Sequence, residues 1–188
     1  MGALRRNWPI VAVALALAFV ATIFITARQT PVYEASAQLV ATPSPAIADP
    51  DDVVRALETL ERRTIVATFA RMASTEESRN AVAQSLRLDP RRAREFRTAG
   101  SVVPNTNIIR IDTRGPDPKL AASIANAAAG RTAREAETLY RVFSLRFLAQ
   151  ATPPRGPVHP DRRRNFLVGA ALGLFFGVAA ALARERLR

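Results

Sequence analysis

Two long apolar runs, Trp8–Ala27 and Phe166–Ala183, stand near the two ends of the chain, and its polar variety lies between and just outside them. Neither run holds a charged side chain, which would be costly at the centre of a bilayer. At about 1.5 Å per helical residue the first extends about 30 Å and the second about 27 Å, each close to a membrane's hydrocarbon thickness. Residues 8–27 and 166–183 are therefore expected as transmembrane helices that clasp one larger domain between them.

The pattern then changes period. Val32–Ala41 is β-branched and partly alternating, which predicts a strand. Thr42-Pro43-Ser44-Pro45 should end it. Asp49-Pro50 is expected to open a helix, Asp49 as the cap with Asp51 and Asp52 at its positive end. Val53, Leu57, Leu60, Thr64, Thr68 and Met72 recur along it at helical spacing, with Ile65 and Phe69 widening the stripe. Ser74-Thr75-Glu76-Glu77 marks a second cap, followed by a shorter helix with Ala81, Val82, Ser85 and Leu86 inward. Arg91–Glu95 adds one turn.

Phe96–Val103 and Ile108–Thr113 read as an antiparallel hairpin around Pro104-Asn105-Thr106-Asn107. Gly115-Pro116-Asp117-Pro118 launches the clearest amphipathic helix, with Ala121, Ile124, Ala125, Ala128, Thr132, Ala136 and Leu139 on one face. Phe143, Leu145 and Phe147 alternate with polar residues in a last strand. The expected fold class is α/β (α+β), in the order β-α-α-β-β-α-β, on an antiparallel or mixed sheet, flanked by the two spans. The strand after the first stem and the strand before the second should be neighbours.

Residues 152–165 form a separate stretch. Pro153, Pro154, Pro157 and Pro160 remove too many backbone donors for a helix or central strand, so an extended spacer is expected before Arg162-Arg163-Arg164. Within the second span Gly169, Gly173 and Gly177 recur every four residues. Such a stripe lets another backbone approach closely in lipid, where no hydrophobic force draws helices together. Its partner is either the first span, through Ala14, Ala18 and Thr22, or the same helix of a neighbouring subunit. The domain boundaries are thus 1–7 as a tail, 8–27, 28–151, 152–165, 166–183 and 184–188.

Composition narrows the chemistry. The chain has no cysteine and one histidine, His159, so thiolate catalysis and His-pair metal sites are excluded. The formal net charge is +11, yet basic and acidic residues are interspersed, and no basic stripe with stacking aromatics marks a nucleic-acid reader. All basic residues but Lys119 are arginine, a bias that reflects a GC-rich genome more than a function. The first span lacks a small-x-small cleavage site and reads as an uncleaved anchor. Arg5, Arg6, Arg184, Arg186 and Arg188 flank one side, and Arg28, Arg155, Arg162, Arg163 and Arg164 the other, so the positive-inside counts tie. Long domains cross largely regardless of charge, which favours both short tails inside and the domain outside.

Taken together, the anchor followed by Tyr33-Glu34-Ala35-Ser36-Ala37, the segment Thr106–Ile111, the segment Asp117–Ala127, and Pro153–Pro160 running into a glycine-rich span form a pattern. It resembles the polysaccharide chain-length determinant (Wzz-type) family, the polysaccharide co-polymerases, in a compact form without a kinase domain. The resemblance implies a bacterial plasma-membrane protein with cytoplasmic termini and an extracytoplasmic α/β domain. It implies a homo-oligomer that regulates surface-polysaccharide length or export with a polymerase or tyrosine kinase, and that is not an enzyme and needs no cofactor. A kinase partner would be a separate polypeptide, because Lys119 sits in Pro118-Lys119-Leu120 without the glycines of a phosphate-binding loop. The competing classes are an extracytoplasmic sensor or adhesion module, and a tethered hydrolase using Asp49, Asp51 and Asp52 or Asp112 with Asp117. Caps and turns explain those carboxylates more simply.

Overall fold

The computed structural model describes residues 8–45, 50–61 and 64–186. It comprises two compact units: a pair of apolar helices, and the domain Val32–Pro157. Along the chain the elements are α1 (Trp8–Arg28), β1 (Tyr33–Pro43), α2 (Pro50–Glu61), α3 (Thr64–Met72), α4 (Glu76–Ser85) and α5 (Pro90–Ala93). Then come β2 (Arg97–Val102), β3 (Ile108–Gly115), α6 (Pro118–Leu139), β4 (Phe143–Ala149) and α7 (Arg162–Arg186).

The domain is a mixed helix-and-strand fold on one antiparallel four-stranded sheet, ordered β2-β3-β1-β4. The strand after α1 and the strand before α7 are adjacent, Leu39 opposite Phe147 and Ala41 opposite Leu145. Alternation sorts the strands onto two faces. Ala35, Ala37, Leu39 and Ala41 of β1 and Ile109, Ile111 and Thr113 of β3 are buried on the inner face. Helix α6 covers them with Ala121, Ala125, Ala128, Ala129 and Ala136, small residues that let the helix approach the sheet closely. Phe69 of α3 completes the core edge-on to Tyr140 and Phe143, with ring centroids 5.4 and 6.1 Å away.

Local chemistry sets the element ends. Thr75 accepts from the Ser78 amide to cap α4, and Asp89 accepts from Arg91 to cap α5. Asp117 accepts from the amides of Lys119 and Leu120 at the start of α6. Asn105 turns the hairpin with φ 62°, a left-handed conformation that asparagine tolerates. Gly100 allows α3 to cross β2 at close range: a Cβ there would overlap the Ala70 carbonyl, and its amide donates to Ser74 Oγ at 2.7 Å.

Several expectations are corrected. Of the helix expected from Asp49 to Met72, the described parts are α2 and α3, both helical, and residues 62–63 between them lie outside the described residues. Ala56 and Leu60 are buried in α2 and Phe69 in α3, but α3 also buries Val66 and Ala70, so Thr64 and Thr68 are exposed rather than inward. Leu139, assigned to the buried face of α6, is exposed as the last residue of that helix, although Ala136 one turn earlier is buried. β1 continues through Thr42-Pro43, since a proline at a strand end needs no ladder donor. β4 carries an irregularity between the pairs of Gln38 and Leu39, which leaves Leu148 exposed. The spacer expected over 152–165 is shorter. Asp161 accepts from the Arg164 amide, so the helix begins at Arg162 and takes in the three arginines. Asp49 and the tail residues 1–7 and 187–188 lie outside the described residues.

Candidate functional site

In the helical unit the three sequence-marked glycines face α1. A Cβ on Gly173 would sit 2.8 Å from Ala18 Cβ and 3.2 Å from Leu15 Cα. One on Gly177 would sit 3.0 Å from Val11 Cα, and one on Gly169 would overlap the Thr22 side chain. The small-residue row Ala14, Ala18 and Thr22 is thus the surface against which the stripe packs, and van der Waals contact holds the pair. Thr22 Oγ1 donates to its own Ala18 carbonyl at 2.7 Å, which satisfies the hydroxyl without a partner across the gap. At one end Asn165 Nδ2 donates to Thr26 Oγ1 at 3.2 Å and to Gln29 Oε1 at 3.4 Å. Phe19 and Phe166 meet at 5.7 Å between centroids. The outward sides remain apolar: Leu17, Leu167 and Phe175 are 65%, 72% and 68% exposed, values unsuited to water. Both helices are long and apolar enough to cross a membrane.

Pro153, Pro154, Pro157 and Pro160 lie in a stretch that is neither helix nor strand. It bends at Arg155-Gly156, so it is not one straight rod. Its start is pinned to α6: Asn126 Nδ2 donates to the Ala151 carbonyl at 2.9 Å, and the Ala151 amide donates back to Oδ1 at 2.7 Å.

The second face of the sheet is polar and open. Ser36, Arg97, Ala99, Ser101, Arg110, Arg114 and Arg146 are all exposed there. Register arranges them in rows. Arg97 stands opposite Arg114, which stands opposite Glu34. Asp112 stands between Ala99 and Ser36, and Arg110 between Ser101 and Gln38. Beyond them come Ile108 beside Val40 and Val40 beside Arg146. Arg114 donates to Glu34 at 3.1 Å, and this hydrogen bond, aided by the Glu34 charge, raises the Arg114 pKa above its ordinary value. Ser36 Oγ donates to Asp112 Oδ1. Sequence reading missed this face because arginines scattered along the chain converge only once strands are paired. The signal was the alternation Arg110-x-Asp112-x-Arg114.

Of the carboxylates considered for hydrolysis, Asp112 and Asp117 have structural partners. Asp112 takes the Ser36 hydroxyl, while Asp117 caps α6 and pairs with Arg92 at 3.3 Å. Among the described residues Asp112 and Asp117 share no hydrogen-bond partner. Among the described residues no three His, Asp or Glu side chains are grouped as metal ligands. A groove of about 430 Å³ runs between α4 and α6 past Phe147, and one of about 920 Å³ runs along β2 beside α4 and α5.

No protein-family model matches the chain, and no curated protein matches it in sequence. Among solved structures it is similar to a full-length bacterial polysaccharide co-polymerase, with a TM-score of 0.56 over 99% of this chain and 96% of that one. Identity is 11%, so the likeness is one of fold. The intact alpha subunit of aIF2 from Pyrococcus abyssi overlaps at a TM-score of 0.35, 15% identity, and 65% and 35% of the two chains, too low for a shared architecture.

Proposed function

We propose that this protein is a non-catalytic membrane scaffold that governs the length or export of a surface polysaccharide, as a compact relative of the Wzz-type chain-length determinants. The observation that carries this reading is the co-polymerase fold, matched almost end to end in both chains. The two apolar helices are compatible with a bacterial inner-membrane protein. In this reading both helices span that membrane, the termini are cytoplasmic and the domain Val32–Pro157 is extracytoplasmic.

The mechanism is positional. Several copies assemble around the polymerase or export machinery, and each contributes weak contacts that add through avidity. No bond-breaking step is assigned to the domain, a view supported by the structural employment of Asp112 and Asp117. A tyrosine kinase, if one works with it, is a separate cytoplasmic polypeptide. With Gly169, Gly173 and Gly177 packed on α1 of the same chain, copies associate through other surfaces.

Deleting the gene in its host tests the reading. The length distribution or amount of surface polysaccharide should change on a gel, and restore with the gene in trans. An unaltered polymer profile would overturn it.

A further inference from the structure

We propose that the open face of the sheet binds an acidic polysaccharide through Arg97, Arg110 and Arg146. This deepens the reading above by naming the class of glycan, and it rests on that reading.

Arg97 and Arg114 are direct cross-strand neighbours, an arrangement that costs stability unless an anion intervenes. Glu34 serves Arg114 from the far side, at 3.1 Å. Among the described residues Arg97, Arg110 and Arg146 have no carboxylate of their own. Among the described strand residues four guanidinium groups therefore share the face with two carboxylates, Glu34 and Asp112, both already engaged. The surplus is positive, and guanidinium forks match planar carboxylates in bidentate fashion.

What lies between the arginines selects the partner. Arg110 is flanked directly by Ser101 and Gln38, and the Ser36–Asp112 pair occupies the next row. Ser101 and Gln38 are neutral donors and acceptors that suit hydroxyl groups. Val40 and Ile108 form a partly buried apolar strip beside Arg146, a surface for the C–H face of a sugar ring. No aromatic side chain stands with the arginines in the strand register, which disfavours a stacked nucleic acid. A flexible chain of hydroxylated, carboxylated units fits all three kinds of group at once.

The test uses the full chain in nanodiscs of phosphatidylcholine, titrated calorimetrically with hexameric oligogalacturonate and, as the neutral control, maltohexaose. The acidic hexamer should bind, more weakly as salt rises, and the neutral one should not. The triple variant Arg97→Gln, Arg110→Gln, Arg146→Gln should keep its melting profile and lose affinity about tenfold or more. Arg71→Gln, on an exposed position of α3, should bind as the parent does. Equal binding of both hexamers, or parental affinity in the triple variant, would sink the assignment. Loss of oligogalacturonate binding in phosphatidylglycerol nanodiscs would also overturn it, in favour of a lipid-facing surface. Two failures are separable. If gene deletion changes the polymer while the triple variant binds normally, only the surface is wrong. If deletion changes nothing while the arginines bind the acidic hexamer, the scaffold reading falls and the surface stands.

Discussion

Gly173 of α7 faces Ala18 of α1 so closely that a single added Cβ would lie 2.8 Å from the alanine methyl. The glycine stripe is therefore occupied within one chain. Gly173→Leu should force the helices apart and destabilise the pair by about 1–3 kcal/mol, as overpacking does. Melting in detergent followed by fluorescence of the sole tryptophan, Trp8, checks this, with Leu174→Ala on an outward position as the control.

Asn126 and Ala151 exchange two hydrogen bonds, at 2.9 and 2.7 Å, and tie the end of the sheet to α6. Asn126→Ala leaves both Ala151 groups unsatisfied at a site where Ala151 is buried. A loss of about 1–3 kcal/mol is expected in denaturant titration. Faster hydrogen exchange at the Ala151 amide should accompany it. Unchanged exchange would show that the clamp does not hold the segment.

Gly100 is needed for space. Gly100→Val should drive β2 off the Ala70 carbonyl and weaken the packing of α3, at a cost of about 1–3 kcal/mol or more. The hydrogen bond from Gly100 to Ser74 should fail with it, readable as lost protection of that amide.

The arginine row separates charge from packing. Arg114→Gln should change stability by less than about 1 kcal/mol, because the Glu34 pair is largely solvated, with the Arg114 side chain 58% exposed. Arg97→Gln removes a like-charge neighbour and should leave stability unchanged or raise it by about 0.2–1 kcal/mol. A clear destabilisation by Arg97→Gln would contradict the reading of this pair as repulsive.

Asp112→Asn keeps an acceptor for Ser36 and should leave the polymer profile of the host unaltered. A lost profile with a folded variant would reopen a chemical role for that carboxylate.

Much of the architecture was legible because local chemistry writes it locally. Thr75, Asp89 and Asp117 cap the helices that their neighbours predict, and the alanine stripe of α6 announces its buried face. The inward face of α3 was only partly legible, because Thr64 and Thr68 continue the helical period of α2 in sequence yet are exposed. Phe69 was on the predicted stripe, but only packing in the folded domain adds Val66 and Ala70 to the buried side.

The amino-acid order alone determined the two apolar helices, the strand and helix segments and the close-packing stripe at Gly169, Gly173 and Gly177. Each depends on residues within a few turns of one another, where hydropathy, caps and spacing act directly. The tertiary structure alone decided that this stripe closes on α1, and that Arg97, Arg110, Arg114 and Arg146 share one open face. Those facts arise from strand order and register between segments far apart in the chain, set by the fit of whole surfaces.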